Sequence, residues 1–276
     1  MDTTDDGGAT RVRRSRSLGD GNDTSLVIGH TESLPARVHL LRGFELCVGP
    51  RAIPLASNAQ RLVAFLAVRE RPQRRATVAG ALWMDAAEDR ASANLRTALW
   101  KIRSLGARLI RTTASHLALD PKVEVDLTMF LAQARRLIGP GDTFEDCDAS
   151  PDLLVGDLLP DWDEDWILFE RERLRQLRVH ALEALCGRLS RCGRHAEAID
   201  AGQAAVAAEP LRESAQRVLI SAHLAEGNVC EARRQFELYR SLLWDSLKLS
   251  PAVDLFELTG ASLPRTYGEL RRESLR

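Results

Sequence analysis

The most informative pattern of apolar and polar positions lies between Asp89 and Asp126. Apolar residues recur there at the spacing of one helical face and predict a helix packed on a core: Ala91, Leu95, Ala98, Leu99, Ile102 and Leu105. The opposite side holds Ala93, Thr97, Trp100 and Ser104, flanked by Arg90, Arg96, Lys101 and Arg103. Small residues permit close approach and cations suit phosphates, so this layout is typical of a recognition helix in a DNA major groove.

The segments before this helix predict a small sheet and two more helices. Val38–Val48 alternates as a strand, Gly49-Pro50 makes a turn and Ala52–Leu55 returns antiparallel. A first helix is expected over Ala59–Arg69, and a second over Val78–Trp83. Thr77 is the expected N-cap of the second helix, and the turn before the recognition helix is expected at 85–89.

The segment after this helix predicts a hairpin. Leu109–Arg111 and Leu117–Pro121 read as strands around a turn at Thr112–His116, and Val123 with Val125 adds a final strand. A leading sheet, three helices and a terminal hairpin describe a winged helix-turn-helix.

The second half of the chain has helical periodicity and an internal repeat. Asp126–Ile138 predicts a helix with Leu127, Phe130, Leu131, Ala134 and Leu137 inward, and a long helix is expected over Asp163–Arg191. Further on, two sets of residues 34 positions apart occupy the turn, second helix and end of a tetratricopeptide motif: Gly193, Ala198, Ala205 and Pro210, then Gly227, Ala232, Tyr239 and Trp244. The second set lacks the closing proline, so its helix is expected to run toward Leu247.

An acidic cluster begins the long helix, at Asp161, Asp163, Glu164 and Asp165. It lacks the alternating ligands and glycine of a calcium loop, and acidic residues interact favourably with a helix N-terminus. A structural role is therefore expected for the cluster. The adjacent Trp162 and Trp166 are expected to hold the helix against its neighbours.

The charge of the chain is unevenly distributed. Residues 37–126 hold 15 Arg and Lys against 8 Asp and Glu, a net charge of +7, although the whole chain carries −1. A basic part followed by an acidic part fits DNA binding joined to another activity.

Other features exclude several classes of protein. The five scattered cysteines lack a C-x-x-C pair, so isolated thiols in a cytoplasmic protein are expected, without a disulfide framework or metal site. No catalytic constellation, phosphate-binding loop, secretory signal or membrane span is recognised, which predicts no enzyme activity and no cofactor. Residues 1–36 read as a disordered leader whose Arg11–Arg16 run is a solvated tail or a minor-groove arm.

The recognition helix and the hairpin together supply the expected DNA contacts. Arginine can bind guanine at two points, and Asn94 can read adenine. Trp100 can pack on a sugar or a thymine methyl group, or instead on a neighbouring protomer or the second domain. The expected DNA-binding residues are Arg90, Asn94, Arg96, Thr97, Trp100, Lys101, Arg103, Arg111, Thr113, Ser115 and His116.

In the order of its elements and in four stretches the chain resembles the SARP family (Streptomyces antibiotic regulatory proteins), which joins an OmpR-type winged helix to a bacterial transcriptional activator domain. The stretches are Ser92–Gly106, Arg111–Leu127, Leu158–Leu177 and Glu209–Gly227. The resemblance implies an activator that binds direct repeats in double-stranded promoter DNA as a homodimer or as side-by-side protomers, and that recruits RNA polymerase holoenzyme. It places the reader at Asn94–Arg103 and the wing at Arg111–His116. The closing Ser246–Pro251 segment departs from the family pattern, which leaves the packing of the last helix open.

The predicted fold is mainly α with two domains, a winged helix-turn-helix with small β-sheets and an all-α tetratricopeptide-like domain. The expected ranges are 1–36 for the leader, 37–125 and 126–260 for the two domains, and 261–276 for a tail. The leading functional hypothesis is a sequence-specific DNA-binding transcription activator. The alternative is a protein-interaction scaffold whose winged helix does not read DNA, and steep weakening of binding by salt would distinguish the first from the second.

Overall fold

A computed structural model of the protein describes residues 35–139 and 156–260. The strands are β1 (Ala36–His39), β2 (Glu45–Val48), β3 (Arg51–Ala52), β4 (Gln73–Arg74), β5 (Ile110–Thr112), β6 (His116–Leu119) and β7 (Glu124–Val125). The helices are α1 (Ser57–Arg69), α2 (Arg75–Leu82), α3 (Glu88–Arg103), α4 (Asp126–Ile138), α5 (Asp165–Arg191), α6 (His195–Ala208), α7 (Glu213–Glu226), α8 (Val229–Leu247) and α9 (Val253–Thr259). Residues 1–34 of the predicted leader, residues 140–155 with Cys147, and the predicted tail at 261–276 lie outside the described residues.

The first sheet has the strand order β3-β2-β1-β7. The prediction of one strand over Val38–Val48 was wrong, because the chain reverses at Arg42 and Gly43, which have φ values of 76° and 139°. Glycine adopts such values without a steric cost, and this turn makes β1 and β2 an antiparallel pair. The predicted turn at Gly49-Pro50 is confirmed, although β3 is shorter than expected. The predicted strand at Val125 is also confirmed, as β7 pairs in parallel with β1.

The first two helices form the support for α3. α1 buries an unbroken run from Leu62 to Val68, which places it at the centre of the core. α2 begins at Arg75, so the prediction of Thr77 as its N-cap was wrong: the N-cap position is Arg74, without a side-chain cap bond. The reason is tertiary, since β4 pairs with β6 and leads the chain directly into the helix.

The predicted hairpin is confirmed, with one additional strand. β5 and β6 are antiparallel, and β4 extends them to a three-stranded sheet in the order β4-β6-β5. This arrangement completes the predicted winged helix-turn-helix.

The helical part follows β7 without a gap. α4 has the predicted bounds, and its five predicted inward residues are all buried. The side chain of Arg188 on α5, itself only 7% exposed, donates to the carbonyl oxygens of Leu137 (2.8 Å) and Gly139 (3.1 Å). These carbonyls end α4 and lack helical partners, so Arg188 both satisfies them and joins the two helices.

The repeated helices have the predicted tetratricopeptide-like arrangement. Gly193 and Gly227, at the two predicted turns, have φ values of 73° and 91°. The small or aromatic residues predicted for close helix packing are all buried: Ala198, Ala205, Ala232 and Tyr239. α8 runs to Leu247, as the missing proline predicted.

The last helix packs against the repeat despite the unusual segment before it. Phe256 of α9 meets Phe236 of α8 edge to face, with ring centroids 4.9 Å apart. The carboxylate of Glu213, at the start of α7, accepts a hydrogen bond from the amide of Ala252 at 3.0 Å. The unusual Ser246–Pro251 segment had left the packing of the last helix open. The contact between Phe256 and Phe236 and the bond from Ala252 to Glu213 now define that packing.

Aromatic and charged contacts join the winged helix to α5. Trp162 stacks on Phe44 with centroids 5.9 Å apart, and Trp166 meets Phe65 edge to face at 5.2 Å. Glu164 accepts hydrogen bonds from Arg61 (3.0 Å) and from Trp166 Nε1 (2.6 Å). The expected anchoring by the two tryptophans is confirmed, and Glu164 of the acidic cluster has the structural role predicted for that cluster.

The cysteines differ in one respect from expectation. Cys47, Cys186 and Cys230 are free thiols, as expected. Cys192 is disulfide-bonded, which corrects the expectation of an isolated thiol at that position.

Candidate nucleic-acid interface

The inward face of α3 determines which of its side chains face solvent. Five of the six residues of the predicted apolar stripe are buried: Ala91, Leu95, Ala98, Leu99 and Ile102. Leu105, the sixth, follows the end of the helix and is half-buried. Since this face is held against the core, the opposite face has a fixed orientation.

The outward face of α3 presents cations and one large aromatic side chain. Its exposed residues from the predicted set are Arg90, Arg96, Thr97, Trp100, Lys101 and Arg103, whereas Asn94 is half-buried. Trp100 is 68% exposed, which is unusual for a side chain of this size. Within residues 35–139 and 156–260, none of these cations forms an ion pair. Their positive charge therefore remains available to an anionic partner.

Two hydroxyl groups on this face are already occupied by the helix backbone. Thr97 Oγ1 donates to the carbonyl oxygen of Ala93 at 3.1 Å, and Ser104 Oγ donates to that of Lys101 at 2.8 Å. With its hydroxyl turned inward, Thr97 offers mainly its methyl group, so the centre of the face is suited to apolar contact. The polar contacts that remain come from the surrounding arginine and lysine side chains.

The tip of the β5–β6 hairpin is held by its own side chains. Thr113 Oγ1 accepts a hydrogen bond from the amide of His116 at 2.9 Å, and Ser115 Oγ lies 2.9 Å from His116 Nδ1. Arg111 is exposed on β5. Thr113, Ser115 and His116 thus shape the turn, while Arg111 places an exposed cation on the first strand of the hairpin.

A hydrogen bond joins the helix to the hairpin. Arg103 Nη2 donates to Thr112 Oγ1 at 2.8 Å, across the gap between α3 and β5. The structure therefore brings the C-terminal end of α3 against the first strand of the wing, while no contact joins Arg90 or Arg96 to the wing among the described residues.

Two basic residues that the sequence had not indicated as DNA contacts also lie beside the wing. Arg74 of β4 pairs in register with His116, and the amide of Arg75 donates to the carbonyl oxygen of Ser115 at 2.9 Å. The basic composition of 71–75 was visible in the sequence. Its position beside the wing was not, because the β4–β6 pairing joins segments about forty residues apart.

Other reactive groups give no sign of a catalytic centre among the described residues. Burial raises the pKa of the Cys186 thiol to about 12, which makes it a poor nucleophile. Burial also raises the pKa of Tyr239 to about 12, with a further contribution from neighbouring Glu213. An open cleft of about 500 Å³ lies between the α2–α3 turn and the start of α5, lined by residues of both charges and by Trp83 and Trp166. No helix of the described ranges has the length and apolar character needed to cross a bilayer.

Comparison with known proteins agrees with this architecture. The family model of the bacterial transcriptional activator domain matches residues 125–262, which is half of the chain. The regulatory protein AfsR of Streptomyces griseus is 29% identical over 253 residues, which cover 83% of this chain and 25% of that protein. The chain thus spans about a quarter of the length of this relative.

A solved structure shares the fold over most of the chain. Mycobacterium tuberculosis EmbR, in complex with a low affinity phosphopeptide, matches with a TM-score of 0.68 at 19% identity. The match covers 85% of this chain and 68% of that one. It confirms the predicted fold class, a winged helix with small sheets followed by an all-helical part. The family is regulatory rather than catalytic. Because the family model matches half of the sequence, the chain belongs to the SARP family of transcriptional regulators, which carry a bacterial transcriptional activator domain.

Proposed function

We propose that the protein is a sequence-specific DNA-binding transcription activator without enzyme activity. The observation that carries the proposal is the outward face of α3, where exposed cations without ion pairs among the described residues surround an apolar centre formed by Thr97 and Trp100. The adjoining wing extends this surface through the bond between Arg103 and Thr112.

The proposed mechanism assigns separate tasks to the two kinds of contact. Arg96, Lys101 and Arg111 bind phosphates and position the protein, a contribution that is independent of sequence. Residues on the central turns of α3 read base edges in the major groove, with Trp100 against a sugar or a thymine methyl group. Arg74 and Arg75 extend the phosphate contact beside the wing.

The helical part is proposed to contact RNA polymerase or another protein partner. Its support is a set of exposed apolar side chains on α8 and just after it, because such groups are typical of interaction surfaces: Leu238, Leu242, Trp244, Leu247 and Leu249. Binding to direct repeats as side-by-side protomers, which the SARP resemblance implies, is part of the same proposal.

The first test is selection of bound fragments from a pool of random-sequence duplex DNA. The wild type is compared with an Arg96→Ala, Lys101→Ala variant and with a matched Arg51→Ala, Lys122→Ala variant. Arg51 and Lys122 are also exposed cations, but they lie in or beside the first sheet. We expect the wild type and the matched variant to enrich one repeated motif, and the α3 variant to lose it.

Salt dependence of binding gives a second measurement on the same proteins. Two lost phosphate contacts lower the slope of log affinity against log salt concentration by about 2. Absence of any motif preferred by the wild type over a scrambled duplex would refute sequence-specific binding.

The alternative remains a protein-interaction scaffold, and the observation that favours it is the exposure of Trp100. A large aromatic side chain at the centre of a surface also suits a protein interface. Binding of a protein partner through this face that is insensitive to salt, together with no selected DNA motif, would establish the scaffold instead.

A further inference from the structure

Three potential metal ligands lie together on the first sheet, away from the proposed DNA surface. His39 of β1 is directly opposite Glu45 of β2, and Cys47 lies two residues further along β2 on the same face. Their donor atoms all lie within 4.8 Å of one another. Because Val38 and Leu46 are buried on the opposite face of the sheet, these three side chains lie on its outer face, where Glu45 is exposed and His39 and Cys47 are half-buried.

We propose that His39, Glu45 and Cys47 form a zinc site. A nitrogen, a carboxylate oxygen and a thiolate are the ligand types that Zn²⁺ selects, and three protein ligands leave one position for water. Zinc–ligand bonds of about 2.0–2.3 Å place tetrahedral ligands about 3.3–3.8 Å apart. Side-chain rotations that move the donors by about 1 Å close the cluster to that geometry.

A second carboxylate lies beside the histidine. His39 Nδ1 is 3.7 Å from Asp126 Oδ2, just beyond hydrogen-bond distance, so a small rotation of the ring would let Nδ1 donate to Asp126 while Nε2 binds the metal. Metal-binding histidines commonly donate their second ring N–H to a carboxylate, which fixes the ring and increases its basicity.

Asp126 is itself rigidly placed. Its carboxylate accepts hydrogen bonds from the amides of Leu40 (2.9 Å), Leu41 (3.0 Å) and Leu127 (2.7 Å). These bonds fix the carboxylate at the point where β1 and α4 meet.

The side chains around Cys47 leave room for a cation. Its thiol is free, and its partner on β3 is Ala52, which has only a methyl group. Its partner on β1 is Arg37, whose Nε donates to Glu124 on β7 at 3.1 Å. The guanidinium is thereby held toward β7, on the side of β1 opposite β2, and its charge is partly neutralised.

The expected consequence of binding is stabilisation of the first sheet. A metal ion held by His39, Glu45 and Cys47 joins β1 to β2 and, through Asp126, connects them to α4. Since the site exists only in the folded chain, binding adds to the stability of the fold.

The test uses the full chain with the Cys192 disulfide intact, treated with a chelator and handled without oxygen or added thiol, and Co²⁺ as a spectroscopic probe. We expect one equivalent of Co²⁺ to give the near-ultraviolet absorption of a thiolate-bound ion, and Zn²⁺ to displace it. Cys47→Ser should abolish the absorption, and His39→Gln should weaken binding about tenfold or more. Cys230→Ser, which removes an exposed free thiol on α8, should leave both unchanged.

Thermal unfolding supplies a readout that does not depend on the absorption. Zn²⁺ should raise the Tm of the wild type and of Cys230→Ser but not that of Cys47→Ser, with circular dichroism checking that all variants fold. Lack of a thiolate band in the wild type, or a band that survives in Cys47→Ser, would overturn the proposal. Either result leaves the DNA-binding proposal unaffected, because the cluster lies on a different sheet from the wing.

Discussion

Trp100 is a large apolar residue that lies on the outward, solvent-facing side of α3. A core-facing helix normally turns its large apolar residues inward, yet this tryptophan is 68% exposed. Trp244 on α8 is similarly exposed, at 54%, but Lys248 lies against its ring, with Nζ 5.8 Å from the ring centroid. The two residues therefore form a natural pair for comparing the proposed DNA surface with an unrelated part of the molecule.

We predict that Trp100 reports DNA binding through its fluorescence. Contact with DNA changes the surroundings of an exposed indole ring, so emission of the wild type should change on titration with its selected duplex. Trp100→Phe should remove most of this change and weaken binding by about 1 kcal/mol, because the smaller ring buries less apolar surface, whereas Trp244→Phe should preserve both. A fluorescence change that persists in Trp100→Phe would place the bound DNA elsewhere.

The sequence correctly predicted the exposure of several single residues, but it did not show which distant residues would lie beside them. The exposure of Arg96 and Lys101 follows from helical periodicity, a local property. By contrast, Arg74 was not selected, and Thr77 was wrongly assigned as a cap, because both depend on the pairing of β4 with β6.

At the scale of the elements, the helical part depends on close approach of α6 and α7. A Cβ atom on Gly202 would lie 3.1 Å from Leu219 Cα and 3.2 Å from its Cβ. A side chain at this position is constrained by the neighbouring backbone rather than by a turn. The repeat pattern predicted small residues between paired helices, and Gly202 extends that principle to the contact between successive pairs.

We predict that Gly202→Val destabilises the protein by about 1–3 kcal/mol, because the added methyl groups force the helices apart. Ala207→Val, on the exposed side of the same helix, should cost less than about 1 kcal/mol. Urea unfolding followed by far-ultraviolet circular dichroism measures both. Equal stability of the two variants would show that α7 moves aside without a significant cost.

At the scale of the whole molecule, the winged helix and the helical part meet through a defined interface. Trp166 packs on Phe65, and its indole N–H donates to Glu164, which also binds Arg61. Arg69 forms a further ion pair with Glu170, at 3.0 Å. The domain boundary after residue 125 stays a prediction, and these contacts oppose independent behaviour of the two sides.

We predict that the wild type unfolds in one transition, with tryptophan fluorescence and circular dichroism changing together. A Glu164→Gln, Trp166→Ala variant should lose about 3 kcal/mol or more and show separate transitions, because it removes the aromatic contact and leaves Arg61 poorly paired.

The matched control is Glu237→Gln, Trp244→Ala, which changes an exposed ion pair and an exposed tryptophan on α8. Its stability should stay within about 1 kcal/mol of the wild type. Separate transitions already present in the wild type would show that the interface does not couple the two parts.

The sequence by itself determined the features that arise within a few turns of chain. The bounds and buried face of α4, the apolar stripe of α3 and the repeat at Gly193 and Gly227 follow from periodicity, because side chains three or four residues apart share a helical face. The basic character of residues 37–126 follows from counting charges.

Only the tertiary structure decided which distant segments lie side by side. The reversal at Gly43 places Glu45 opposite His39, β7 adds to β1 in parallel, and Arg74 comes to lie beside His116. Strand register and helix contacts are determined by the packing of the whole core, so residues far apart in sequence become neighbours only in the folded chain.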